Sequence, residues 1–197
     1  MRARVGYGGG AFTVAAGRLY FVDRGERLFA RDLAAGRPRP LTPAFGQPAA
    51  PTVSADGRWL VFVHRYEDED RLAVVDTQGA HWPQSLVSGA DFYMQPTWHP
   101  RGRQLAWIEW DHPNMPWDAT RLVLGNLDIS DAGLPLISDT AILAGAANDE
   151  AVFQPEFSPD GRYLAYVSDR RGWSDVWLYD LATKAHRCLD EAEGDVS

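Results

Sequence analysis

Three stretches decide the fold: PTVSADGRWLVFV at 51–63, PTWHPRGRQLAWI at 96–108 and PEFSPDGRYLAYV at 155–167. Pro51, Pro96 and Pro155 each stand six residues before a glycine, Gly57, Gly102 and Gly161. Val53, Trp98 and Phe157 stand four before it, and Arg58, Arg103 and Arg162 follow it directly. Leu60, Leu105 and Leu164 come three after. A weaker copy, AAGRLYFV at 15–22, uses Gly17 and Arg18, with Leu19 one position early. Each copy reads as a hairpin. Asp56-Gly57 and Asp160-Gly161 are two-residue turn signals, because glycine tolerates positive φ. Arg101-Gly102 is a less typical variant.

Working outward, a third strand follows each hairpin, at Arg27–Arg31, Arg71–Val75, Arg121–Gly125 and Asp175–Tyr179. Each ends at a short polar residue suited to a turn: Asp32, Asp76, Asn126 and Asp180. Fourth strands are expected at Arg39–Thr42, at Ser85–Ser88, at either Leu136–Ser138 or Ile142–Ala144, and at His186–Leu189. Four strands per unit, repeating every roughly 40 to 60 residues, describe propeller blades. The expected fold is all-β, a β-propeller of four four-stranded antiparallel blades at about 1–45, 46–90, 91–150 and 151–197, forming one partial, open propeller. A β-sandwich or a β-solenoid fits the constant strand count less well. The third unit is longest and holds two insertions, Trp110–Trp117 and Ile129–Glu150.

The 197 residues are 45% hydrophobic and 12% aromatic, too apolar for disorder. The net charge of −8, with no basic stripe, argues against a nucleic-acid partner. No apolar run approaches the about 20 residues that a membrane span needs. Cys188, the one cysteine, permits no internal disulfide and fits a reducing compartment, so a cytoplasmic location is the expectation. MRARVGYGGG at 1–10 has no apolar core of a signal peptide, and its abrupt start leads us to expect a piece of a longer protein.

With these residues in view, FSPDGRYLAYVSDR at 157–170 resembles the repeat of TolB-type propellers and of the propellers in prolyl oligopeptidase-family serine peptidases. YGGGAFTV at 7–14, DFYMQPTWHPRGRQLAWIEWDHPNMPWD at 91–118 and FQPEFSPDG at 153–161 look like the acylaminoacyl-peptidase and dipeptidyl-aminopeptidase-like branch, where the WDHPNMPWD loop is a signature. The resemblance implies a seven- or eight-bladed propeller followed by an α/β-hydrolase domain with a Ser-Asp-His triad. This chain departs from that plan: it has four blades and no G-x-S-x-G. Gly172-Trp173-Ser174-Asp175-Val176 lacks the closing glycine, so no catalytic residue is assigned. The implied partners are a hydrolase domain and, in the parent, a peptide substrate.

The WDHPNMPWD loop carries Trp110, Asp111, Pro113, Met115, Pro116, Trp117 and Asp118. One reading is structural: the two indoles pack on the blade, the prolines stiffen the loop, and the two aspartates accept backbone N–H bonds. In the other, the loop projects toward the hydrolase cleft as interface or channel edge. A direct substrate contact is a third. YGGGA at 7–11 lacks the following helix and lysine of a phosphate loop. RYEDED at 65–70 reads as a solvated tip without calcium-loop spacing. In some relatives an acidic propeller residue anchors a substrate amine, a role open to Glu109, Asp111 or this acidic run. His64, His81, His99, His112 and His186 are scattered without zinc spacing, and no metal or other cofactor is expected. An open arc would expose apolar end faces, for which we name Phe21, Leu28, Trp177 and Tyr179, and would self-associate.

Overall fold

The computed structural model describes residues 10–131 and 133–189. Tyr7–Gly9 of the glycine run, the start Met1–Gly6 and the tail Glu191–Ser197 lie outside the described residues. Among the described residues sixteen strands form four sheets, each an antiparallel meander in chain order. The first holds β1 (Phe12–Ala15), β2 (Arg18–Val22), β3 (Leu28–Asp32) and β4 (Arg39–Pro40). The second holds β5 (Gln47–Val53), β6 (Trp59–Tyr66), β7 (Glu69–Asp76) and β8 (Gln84–Val87). The third holds β9 (Phe92–Trp98), β10 (Gln104–Trp110), β11 (Arg121–Ile129) and β12 (Pro135–Ala144). The fourth holds β13 (Val152–Phe157), β14 (Tyr163–Ser168), β15 (Asp175–Asp180) and β16 (His186–Cys188). The chain is all-β, four four-stranded antiparallel blades.

Period-two alternation puts one side of each strand against the next blade. Tyr20, Val22, Leu28 and Ala30 of blade one meet Leu60, Phe62, Ala73 and Val75 of blade two. Val61, Val63, Leu72 and Val74 pack with Tyr93, Trp98, Leu105 and Trp107 of blade three. Ile108, Trp110 and Leu122 pack with Leu164, Tyr166 and Tyr179 of blade four. Among the described residues no core cluster joins blade four to blade one, so the arc is open.

This alternation corrects the expected end faces. Leu28 and Tyr179 are buried, and Trp177 packs on the core between blades three and four. The residues that point away are their strand neighbours. On blade one these are Phe12, Val14, Phe21 and Phe29, with Phe21 and Phe29 stacked at 5.8 Å. On blade four they include Val176, on the opposite side of β15 from Trp177. The expectation had the right blades and, at three of four positions, the wrong strand face.

The turns also differ from expectation. In the Asp-Gly turns of blades two and four only the glycine takes positive φ, +71° at Gly57 and +70° at Gly161. Gly57 N–H donates to Ser54 O and Gly161 N–H to Ser158 O, each at 2.8 Å. Ser54 N–H and Ser158 N–H then bond the carbonyls of Trp59 and Tyr163. These are four-residue loops held by side chains rather than two-residue turns: Asp56 accepts from Ser54 Oγ and Arg58 N–H, and Asp160 from Ser158 Oγ and Arg162 N–H. Two-residue turns with both centres at positive φ occur elsewhere, at Ala16-Gly17 and Glu67-Asp68. The second also corrects the reading of RYEDED as a solvated tip. Only Glu67 and Asp68 form the turn, while Asp70 lies within β7 opposite Arg65 and is buried.

The repeated proline marks a bulge. Ala50, Gln95 and Gln154 precede Pro51, Pro96 and Pro155, and each has positive φ, at 46°, 51° and 52°. At each the register slips, so that two residues of the inner strand face one of its partner. Proline has no N–H to place in the ladder and disfavours the right-handed helical region in the residue before it. The freed donors link blades: Ala50 N–H reaches Gly10 O at 2.8 Å, and Gln154 N–H reaches Gln95 Oε1 at 2.7 Å.

Finally, β11 does not stop at Asn126. It continues to Ile129 and pairs with β12 over its length. The two alternatives for the fourth strand, Leu136–Ser138 and Ile142–Ala144, are parts of one strand. The Ile129–Glu150 insertion is mostly this long hairpin.

Candidate functional site

In a meander blade, the links from second to third strand share one face of the arc with the links between blades. On this face lie Asp23–Arg27, Tyr66–Glu69, Asp111–Thr120 and Asp169–Ser174. The WDHPNMPWD loop is the longest of them, and its fixing starts at Trp110, buried and stacked on Phe92 at 5.0 Å.

Asp91, on the link from blade two, and Asp111 tie the two links together. Asp111 Oδ1 accepts from Asp91 N–H at 3.0 Å, and Asp91 Oδ2 accepts from His112 N–H at 2.9 Å. The His112 N–H, then the His112 ring, hold Asp91 below the usual carboxylate range. The second oxygen of Asp111 meets Arg121 Nη2 at 2.6 Å, and Arg121 also reaches Glu109 at 3.4 Å. Burial alone would lower the Arg121 pKa, but the Asp111 bond and the two carboxylates outweigh it and raise it. Glu109 further accepts the Trp107 indole N–H at 2.8 Å.

Beyond Asp111 the chain turns twice. Asn114 N–H donates to Asp111 O, and Asp118 N–H to Met115 O, while Asp118 Oδ2 accepts from Met115 N–H at 3.0 Å. The His112-Pro113 bond is cis, Pro113 is exposed, and Pro116 is buried beneath the turn. The loop ends on Thr120, fully buried, whose hydroxyl donates to Val152 O at 2.8 Å and lies 2.6 Å from Val152 N–H. Blade three's loop is thereby pinned to blade four.

The structural reading of Asp111 and Asp118 thus describes their bonds, whereas that of the two indoles divides. Trp110 is core, but Trp117 is 60% exposed. On blade four's loop of the same face, Trp173 is 81% exposed. Sequence reasoning considered Gly172–Val176 only as a failed nucleophile motif and missed this indole, which a search for tryptophan in the corresponding loop would have found. The amine-anchor candidates are engaged: Glu109 and Asp111 hold Arg121, and Asp70 pairs with Arg65 at 3.7 Å. Asp70 lines a cleft of about 370 Å³ with Arg71, Asp91 and His112. Its burial pushes its carboxyl up to about 6, against the pull of Arg65. Among the described residues no group of His, Cys, Asp and Glu is placed to hold a metal. Glycines 57, 102 and 161, with Asp56 and Asp160, sit on the opposite face of the arc.

The fold is a β-propeller segment that structurally matches the propellers of puromycin hydrolase and prolyl endopeptidases, with TolB-like sequence similarity. It superposes on a puromycin hydrolase with a TM-score of 0.78 at 31% identity, over 98% of this chain and 32% of that one. A puromycin-hydrolyzing peptidase of Mycobacterium tuberculosis matches with a TM-score of 0.79 at 26% identity, over 97% and 32%. In sequence, the Tol-Pal system protein TolB of Gluconobacter oxydans (strain 621H) is 27% identical over 130 residues, 66% of this chain and 25% of TolB. No protein-family model matches the chain. The chain thus spans about a third of the solved peptidases and a quarter of that TolB.

Proposed function

We propose that the chain is a non-catalytic propeller segment of a serine peptidase acting on peptides. In this reading the face bearing the WDHPNMPWD loop lies against an α/β-hydrolase domain, and the propeller admits peptides while excluding folded proteins. The observation that carries it is the loop itself: a backbone fixed through Asp91, Asp111, Arg121 and Thr120 that presents an exposed Trp117. A pre-organised aromatic surface loses little conformational entropy on docking. The likeness to solved peptidases supports the reading, and the quoted motifs favour the acylaminoacyl-peptidase or dipeptidyl-aminopeptidase-like branch. The single cysteine favours a cytoplasmic setting. The test is the reading frame around this segment together with the segment's own activity. A G-x-S-x-G motif downstream is expected, and no turnover of acyl-peptide or aminoacyl chromogenic substrates by this chain alone. A frame ending near residue 197, or turnover blocked by a serine-directed inhibitor, overturns it.

A second reading, a stand-alone TolB-type protein-binding propeller, is favoured by the sequence similarity to TolB. Capture of one specific protein partner by a chain whose reading frame lacks a hydrolase domain would support it.

A further inference from the structure

The face opposite the WDHPNMPWD loop carries the repeated glycine turns, and there blade three is built differently from its neighbours. Its third and fourth strands run past Asn126 and Asp139 as a projecting hairpin, closed by Ser130 N–H to Leu134 O at 2.9 Å. In the other blades the corresponding links carry no strand. Leu127, Leu134 and Ile137 pack against the core between blades two and three, which makes the hairpin a fixed wall. Between this wall and the turns of blades two and three lies a cleft of about 530 Å³, within the rough 300–1,000 Å³ range of small-ligand sites.

Trp59 and Trp98 form its floor, Ile129 and Pro135 its wall, and Arg58, Arg101 and Arg103 its rim. The Trp98 indole N–H donates to Thr52 O at 3.3 Å, and the Arg58 guanidinium lies 5.9 Å from the Trp59 ring centre. In a chain of net charge −8, three guanidiniums gather here, and among the described residues none forms an ion pair. Asp56 is the one carboxylate lining the cleft, and Ser54 Oγ and Arg58 N–H already engage it. Among the described residues the Arg101 guanidinium makes only a long 3.5 Å bond to Asp160 O. Guanidinium forks match a carboxylate in two-pronged geometry, and indole surfaces take up an apolar body.

We propose that this cleft binds an organic carboxylate with an aromatic or apolar body, its charge among Arg58, Arg101 and Arg103 and its body against Trp59, Trp98 and Ile129. Two sources share that chemistry: the C-terminal residue of a peptide and a free aromatic acid. The proposal concerns the opposite face and does not depend on the peptidase reading.

Titration calorimetry of this chain with the tripeptide Gly-Gly-Phe, its C-terminal amide and 3-phenylpropionate tests it. Saturable binding of at least one acid is expected, weakening as salt rises. Amidation, the double variant Arg101→Gln/Arg103→Gln and Ile129→Ser should each weaken it, the first two on the order of tenfold. A tripeptide that binds more tightly than 3-phenylpropionate assigns a chain end, and the reverse order assigns a free acid. All three substituted side chains are exposed, so melts should match the parent; Arg103→Gln alone serves if the double variant does not fold. No saturable binding of either acid, or equal binding of acid and amide, overturns the proposal, as does binding indifferent to the arginine substitutions.

Discussion

Gly57 and Gly161 occupy the same place in the repeat and the same left-handed conformation, yet their surroundings differ. A Cβ on Gly57 would meet nothing within 4 Å, while one on Gly161 would lie 2.6 Å from the His99 ring. His99 Nδ1 accepts from Arg101 N–H, which leaves Nε2 protonated to donate to Gly161 O at 2.9 Å. Gly57→Val should therefore cost about 1–2 kcal/mol of backbone strain. Gly161→Val should cost about 1 kcal/mol more, because it also disturbs a bond between blades. Chemical denaturation of both variants measures the difference; equal losses would show that His99 yields freely. Asp70 is the other residue with a measurable signature. Its folded pKa of about 6 exceeds the unfolded value of 3.8, so the folded state holds the extra proton between them. Stability from this group is thus full below about pH 4 and lost as pH rises through 6. Asp70→Asn should gain about 1–3 kcal/mol at pH 8 and little at pH 4. Buried His64, whose pKa burial lowers, acts in the opposite sense below its unfolded value of 6.5 and is common to both proteins. Equal gains at both pH values would refute the Asp70 assignment.

At the scale of elements, the WDHPNMPWD loop splits its two tryptophans between tasks. Trp110→Ala removes a buried ring stacked on Phe92 and should cost about 3–5 kcal/mol. Trp117→Ala should stay within about 1 kcal/mol, as exposed substitutions do. Thermal melts compare the two, and a large loss at Trp117 would make the loop's role purely structural. The bulges in β5, β9 and β13 belong to this scale too. The proline within each was visible in the repeat, but not the slip in register, because a bulge shows only when the partner strand is known.

For the whole molecule, no core cluster among the described residues covers the outer face of either end blade. Blade one presents Phe12 and Val14, 55% and 53% exposed, beside Phe21 and Phe29. Exposed apolar patches of this kind favour pairing, and two copies related by a two-fold axis would cover them. Sedimentation equilibrium of this chain at micromolar concentration should show self-association that Phe12→Glu/Phe21→Glu weakens. A strictly monomeric chain with a cooperative melt would show that the end faces are stable in water as they stand.

The repeat alone determined that this chain makes four antiparallel four-stranded blades, because the glycine, arginine and leucine spacing records local hairpin geometry and period-two burial, both of which act between near neighbours in sequence. It also marked the WDHPNMPWD loop, through a motif rather than through physics. Tertiary structure decided the rest. Which side of β3 and β15 faces the next blade follows from sheet stacking, and Leu28, Trp177 and Tyr179 were assigned to the wrong side for that reason. Asp70 is buried because blade three closes over β7, a distant contact that its acidic neighbours conceal. The cleft of Trp59, Trp98 and three arginines joins residues from two turns and a hairpin, brought together only when blades two and three pack.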